Sequence, residues 1–366
     1  EWEELQAITL TWRGYPSVLR EIVRHAKEEV EVVIFCENCS SVVSYLQSYG
    51  IDTTNVTLLD VPSNTVWIRD YGANPVYANE VDSLVLVDWI YNRPRPKDDV
   101  IPDYVGNYFG VPVYETAEAP YDLVNTGGNF MSDGLGTGFS SNLVLEENGP
   151  FNVFGQSNHT EEGVDSIMQR FMGIAPYVKM ETLPYDGIHH IDMHMKLLDE
   201  ERLLVGQFPE GVSDGPQIEA NIQYVLDHFQ TAFGNPFEVI RIVQPPCANG
   251  NYPPYCSWGA EYRTYTNAMF INGTILVPVY GTALDQEALD AWQRAMPGYE
   301  IHGIDCTEII KAGGAIHCIV KEVGVYDPLW IVHERVRDAW KGQPVDITAT
   351  IKHRSGIASA RVWYKT

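Results

Sequence analysis

Five residues of this sequence have the types needed for chemistry at an electrophilic carbon. Cys318 closes the stretch AGGAIHC, His190 and Asp192 stand two apart in HHID, Asp70 ends WIRD, and Asn267 lies in YTNAMF. A cysteine with a histidine to serve it is the minimum for a thiol nucleophile with a general acid–base partner. Two carboxylates in the same place work against a thiolate, because negative charge disfavours its formation. They become useful if the molecule acted on is a cation. A guanidinium is planar and pairs with carboxylates in bidentate geometry. Held between two aspartates, it would expose its carbon and help offset the thiolate's charge. Each residue also has a plainer reading. Cysteine is among the most buried residue types, and Cys318 sits in a run, AIHCIV, that reads as a buried strand. His190 fits a hydrogen-bonded core histidine, and Asp70 could simply pair with Arg69. On one face of a strand, His190, Asp192 and His194 of HIDMH would also have a metal-ligand spacing, which keeps a metal-dependent hydrolase open.

What favours the joint reading is phase. Helical periodicity with capping signals predicts helices over 40–50, 98–110, 160–173, 216–229 and 285–298. Their starts lie about 55 to 70 residues apart, the mark of an internal repeat. Each is followed by a β-rich segment (VTLLDV, VPVYET, APYVKMETL, FEVIRIVQP, YEIHGIDC) and then by a polar motif. The motifs are WIRD, NTGGNF, GIHHID, YRTYTNAMF and AGGAIHC, and in four repeats they follow the helix start by about 30 residues. In the fourth repeat the gap is longer, and the excess holds the loop CANGNYPPYC. An α/β unit that cannot bury its own sheet face must pack against others. Five such units around an axis would bring equivalent points together at the centre. After VGVYDPLW the pattern changes: VDITATIKH and ASARVWYKT alternate like two strands joined at RSG. This predicts a catalytic domain over 1–325, a linker over 326–340 and the opening of a β-sandwich over 341–366.

Composition narrows the function. The formal charge is −25 over 366 residues, which argues against nucleic acid and suits a cationic substrate. No apolar run is long enough to span a membrane. The N-terminal EWEELQAITLTW lacks the features of a signal peptide, so either there is none or it has been removed. Cys247 and Cys256 bracket a loop that a disulfide would staple, and Cys36 and Cys39 form a CENC pair that is a second bridge or a redox pair. No second CxxC exists to build a four-cysteine zinc site. Two bridges would place the protein in an oxidising compartment, secreted or at the cell surface.

The ordered set WIRDYG, HID, YTNAMFINGTILVPVY and GGAIHC resembles the guanidine-modifying (pentein) superfamily. Within it, the chain is similar to agmatine deiminases and to bacterial Porphyromonas-type peptidylarginine deiminases, over roughly residues 5 to 325. The resemblance implies an α/β fold, a pentein five-bladed propeller of ββαβ-type repeats, with an Ig-like module after it. It implies that Cys318 is the nucleophile, that Asp70 and Asp192 hold the guanidinium, and that His190 protonates the departing ammonia and then activates water. It also implies that Asn267 orients the cysteine and that Trp67 packs on the aliphatic arm. No cofactor or catalytic metal is implied, and the chain looks like the calcium-independent branch. The assignment of His190 over its neighbour His189 rests on the H-x-D spacing and on the pleat of a strand.

The choice among guanidines turns on DWIYNRPRPKDD, where Arg93 and Arg95 alternate with prolines. An extended segment would present both guanidinium groups on one side. Beside a site for a cation they are counterproductive unless an anion is bound as well. Free arginine and a C-terminal peptidyl arginine carry a carboxylate; agmatine does not. The resemblance points the same way, because an arginine pair in the matching place binds the C-terminal carboxylate in the peptidylarginine enzyme. A solvated loop pairing with Asp98 and Asp99 is the plainer account. The expected reaction is deimination of peptidyl arginine at a C-terminus. Agmatine or free arginine deimination, amidinotransfer to an amine, and an inactive binding protein on the same scaffold are the alternatives.

Overall fold

The computed structural model describes all residues except 258, 260, 338, 339, 341 and 364–366. In chain order, β1 (Leu5–Thr11) leads through α1 (Pro16–Ala26) to β2 (Glu31–Phe35), and α2 (Cys39–Ser48) leads on to β3 (Val56–Leu59). After the one-turn α3 (Ile68–Tyr71) come β4 (Asn74–Ala78), β5 (Ser83–Trp89), α4 (Ile101–Phe109) and β6 (Val113–Thr116). The next unit is β7 (Met131–Ser132), β8 (Gly138–Ser141), α5 (Leu143–Asn148), α6 (Glu161–Met172) and β9 (Tyr177–Met180). It is followed by β10 (Met195–Leu197), β11 (Arg202–Gln207), α7 (Gly215–His228) and β12 (Glu238–Val243). Then come β13 (Met269–Ile271), β14 (Thr274–Val279), α8 (Asp285–Ala295) and β15 (Glu300–Asp305), and finally β16 (Lys321–Gly324), β17 (Trp330–His333) and β18 (Ala349–Lys352).

Four three-stranded sheets share one pattern, with the first strand antiparallel to the second and the second parallel to the third. A parallel pair needs a crossover, and α4, α6, α7 and α8 supply it. The fifth sheet has the same pattern assembled from distant parts of the chain: β16 runs antiparallel to β1, β1 parallel to β2, and β3 adds an edge. Here the structure corrects the expected helix of the first repeat. The crossover is α1, which buries Val18, Leu19, Ile22, Val23 and Ala26 along one face. The helix read at 40–50 is α2, which buries only Val42 and Leu46 and leads to the extra edge strand.

Local chemistry explains the elements that held. Thr160 caps α6 by accepting from the Gly163 N–H at 3.2 Å, and Gly173 ends it in the left-handed region at φ 69°. Pro102 falls in the first turn of α4, where a missing N–H costs nothing. The run TILVPV of β14 is buried on both faces almost throughout, each large apolar side chain contributing roughly 1.5–3 kcal/mol.

The tail departs from expectation. VDITATIKH supplies β18, but its partner is Trp330–His333, within the segment read as a linker, and not the stretch beyond RSG. The described part of that stretch, up to 363, forms no strand. Both cysteine pairs are bridged, Cys36 to Cys39 and Cys247 to Cys256, while Cys306 and Cys318 are free and buried.

Candidate active site

The polar motifs share a position that the sheet pattern makes plain: each lies immediately ahead of the first strand of its unit. Asp70 is on α3 before β4, and a 3₁₀ turn at Gly127–Asn129 precedes β7. The turn Ile191–Met193 precedes β10, Asn267 follows a bend at 265–266 and precedes β13, and the turn His317–Ile319 precedes β16. Two strand readings are thereby corrected. HIDMH is not a strand, because His189 turns the chain at φ 57° and Ile191–Met193 closes a 3₁₀ turn. Cys318 likewise sits on a 3₁₀ turn rather than within a buried strand. Three-residue turns carry no periodicity, so a window of apolar residues reads as strand. The turn still selects His190, which is buried, over the partly exposed His189.

The five residues converge. Asn267 Nδ2 donates to Cys318 Sγ at 3.2 Å, and Asn267 Oδ1 accepts the backbone N–H of His317 at 3.0 Å. Cys318 Sγ lies 3.7 Å from Asp192 Oδ2. Thr266 Oγ1 donates to the Asp192 carbonyl at 3.2 Å, fixing that turn from the next unit. His190 Nδ1 is 3.7 Å from Asp70 Oδ1, and its Nε2 is 3.1 Å from Thr126 Oγ1. A Cβ on Gly128 would lie 2.5 Å from His190 Nδ1 and 3.1 Å from Asp70 Oδ1, so only glycine admits this approach. A Cβ on Gly314 would lie 2.7 Å from the Trp67 ring and 2.8 Å from Cys318 Sγ, which places Trp67 beside the nucleophile.

Asp70 does not pair with Arg69. The Arg69 guanidinium turns away to Glu322, at 2.6 Å, and its Nε donates to the His317 carbonyl at 3.2 Å. Asp70 Oδ1, His190 Nδ1 and Asp192 Oδ1 are buried with no hydrogen-bond partner among the described residues. Unsatisfied buried polar atoms are uncommon, and two carboxylate oxygens among them can accept from a ligand rich in N–H donors. Among the described residues, no three His, Cys, Asp or Glu side chains form a metal-holding group, so His190, Asp192 and His194 do not converge as a strand face would have allowed. Burial lowers His194 to about 4, a neutral core imidazole.

Burial also sets the charges. It pushes the Cys318 thiol well above its ordinary value, and the negative charges of Asp192 and Asp70 add to that. Burial raises the Asp70 carboxyl, with His190 opposing. At Asp192 burial pulls the same way, but the hydrogen bond and charge of His317, joined by His190 and Lys196, together hold the carboxyl below the usual range.

At the rim, the arginine segment is not extended. The Arg95 N–H donates to the Arg93 carbonyl at 2.8 Å, closing a tight turn. Arg93 Nη1 donates to Asn92 O and Arg95 Nη1 to Tyr91 Oη, each at 2.8 Å. The Asp98 carboxylate is not their partner. It is fully buried and accepts from Asn64 N, Thr65 N and Thr65 Oγ1, which ties the loop to the turn before Trp67. Sequence reasoning passed over Glu147, which accepts from Asn92 Nδ2 at 2.6 Å and lies within the field of Arg93 and His190. It also passed over Thr126 and His317; for His317, its place beside the cysteine was the available signal. A cavity of about 510 Å³ lined by Trp2, Tyr77, Phe130 and Trp330 reaches Arg69 but none of the five converging residues.

Residues 1–323 match the model of the Porphyromonas-type peptidyl-arginine deiminase family. A protein named as an agmatine deiminase from Legionella pneumophila (strain Paris) is 25% identical over 279 residues, 73% of this chain and 75% of its own. Another so named, from Shewanella frigidimarina, is 24% identical and covers 88% of this chain and 92% of its own. In fold, the chain is similar to a protein named as an arginine deiminase from Porphyromonas gingivalis (TM-score 0.74, 20% identity, 88% and 96% covered). It is also similar to the agmatine deiminase of Enterococcus faecalis (TM-score 0.73, 18% identity, 88% and 93% covered). With a family match spanning nearly the whole chain, and a cysteine, a histidine and two aspartates gathered ahead of the first strands, the chain belongs to the Porphyromonas-type peptidyl-arginine deiminase family of C–N hydrolases.

Proposed function

We propose that the enzyme converts a C-terminal peptidyl arginine to citrulline and ammonia through a covalent intermediate on Cys318. The observation that carries this reading is the pair of unpartnered oxygens, Asp70 Oδ1 and Asp192 Oδ1, both close enough to Cys318 for their carboxylates to push its thiol up. A guanidinium bound between them supplies the missing donors and a positive charge. That charge offsets what burial and the carboxylates impose, and the thiol gives up its proton to His190, which carries it to the departing nitrogen, as the cation arrives. Sγ attacks the guanidinium carbon, and His190 protonates the departing nitrogen, which leaves as ammonia. His190 then takes a proton from water as it attacks the thiouronium, and the C–S bond breaks to release the ureido product. Asn267 holds Sγ and the backbone of the nucleophile's turn, and Trp67 packs on the aliphatic arm.

The rim decides the substrate. Arg93 and Arg95 have no carboxylate partner among the described residues and so are available to a C-terminal carboxylate. The names of the relatives favour agmatine as the second reading. The test is kcat/KM on agmatine, arginine, a dipeptide ending in arginine and the same dipeptide amidated. The free-acid dipeptide is expected to be the best of the four, with the amide at least about tenfold poorer. Equal rates on acid and amide, or agmatine as the best substrate, remove the peptide reading.

The same reading extends to the architecture. The five sheets form the blades of a pentein propeller, supported by their shared pairing and by β16 completing the sheet of β1. An Ig-like module would open at Trp330, ahead of the expected boundary at 341, with the β17–β18 pair as its start. The two disulfides favour a secreted or surface location.

A further inference from the structure

His317 has a carboxylate at each ring nitrogen. Nδ1 lies 2.7 Å from Asp192 Oδ2 and Nε2 lies 2.6 Å from Glu1 Oε1, with the ring and the Asp192 side chain fully buried. Ionised carboxylates only accept, so both ring nitrogens act as donors. The residue cannot drift: Arg69 Nε holds its carbonyl and Asn267 its N–H. Lys196 pairs with the second oxygen of Glu1, closing the arrangement behind the ring. Asp192 Oδ2 is thus shared between His317 and Cys318 Sγ, while Oδ1 is unpartnered.

We propose that His317 is a positioning residue for deimination: its Nδ1–H ties down Asp192 Oδ2 and so turns Oδ1 to the guanidinium, with Glu1 and Lys196 bracing the ring from behind. The inference rests on the guanidinium reading of the site but not on which guanidine is bound. Besides His317, the groups whose charge reaches Asp192 are Arg69 and Asp70 from α3, Cys318, Lys196 from β10 and Asp186 from the preceding loop. His190 and His194 flank it on its own turn. Of the groups that counter the burial of Asp192, His317 acts most strongly.

The test uses the whole chain with His317→Ala and His317→Asn, measuring kcat/KM against pH on agmatine and on a dipeptide ending in arginine. His317→Ala is expected to lower kcat/KM about 10- to 100-fold, the scale of a charge-assisted hydrogen bond. It should also move the acid limb of the profile upward by about one pH unit or more, because Asp192 loses its cationic neighbour. The Asn variant can donate through Nδ2 where Nδ1 stood, so it should recover much of the neutral-pH rate while its acid limb stays raised. A purely structural role predicts an equal loss at every pH, an unmoved acid limb and no rescue by Asn. That result, or a folded Ala variant within about threefold of wild type, overturns the proposal. If the Ala variant does not fold, a folded Asn variant with the wild-type acid limb overturns it equally. Failure of the peptide reading would appear in the wild-type enzyme and leave the ratios between His317 variants and wild type unchanged.

Discussion

The inner and outer ends of the site are built on different principles. At the inner end, Asp70, His190, Asp192, Asn267 and Cys318 come from four different units, each on a short turn ahead of a first strand and braced from elsewhere in the chain. Thr126 reaches His190, Thr266 the turn of Asp192, and Asn267 the turn of Cys318. At the outer end, Arg93 and Arg95 share one loop, and each guanidinium makes its hydrogen bond to a residue in that same loop. The inner geometry cannot shift without disturbing several sheets, whereas the outer one can change with a single loop. That is the division expected where a rigid scaffold fixes the chemistry and a loop sets the choice of substrate.

The contrast can be broken at its strongest point first. Cys318→Ala should bind an arginine-containing ligand while losing roughly 10⁴-fold or more in turnover, as removal of a nucleophile does. Ligand binding by calorimetry and product by ureido assay check it, and turnover near the wild-type rate removes the nucleophile. Gly128→Ala tests whether the inner end is as rigid as its bracing implies. The new Cβ would stand 2.5 Å from His190 Nδ1, and a misplacement of that kind costs about 100-fold. All guanidine substrates should suffer alike, and a variant that keeps wild-type rates would show an inner end that yields. The smallest effect belongs to the rim. Arg93→Ala combined with Arg95→Ala should lower kcat/KM at least about tenfold on a dipeptide ending in arginine and much less on its amide. A uniform loss on both would move the arginines from selectivity into the general architecture.

The inner end was the more legible in sequence, and the repeat explains why. One polar motif follows each predicted helix, at a common distance in four of the five repeats, so Asp70, His190, Asp192, Asn267 and Cys318 could be gathered before any contact was known. The rim gave residue types but not shape: prolines around Arg93 and Arg95 suggested an extended segment where the backbone turns back on itself. The first repeat was misread because both stretches carry helical signals, α1 an initial proline and an apolar face and α2 a capping Asn38, and only the strands they join show that α1 is the crossover. The tail was misread because two alternating stretches joined by RSG look like a hairpin, and only pairing reveals that β18 joins Trp330–His333.

By itself, then, the sequence determined the set of reacting residue types and their order, because periodicity and phase are properties of neighbours along the chain. Tertiary structure decided everything that depends on residues far apart. It paired β16 with β1, turned Arg69 away from Asp70 toward Glu322, and set His317 between Asp192 and Glu1, a contact spanning 316 positions. It also gave His190, Asp192 and Cys318 turns instead of strands, since a three-residue turn leaves no periodic trace and its conformation is set by the chains packed around it.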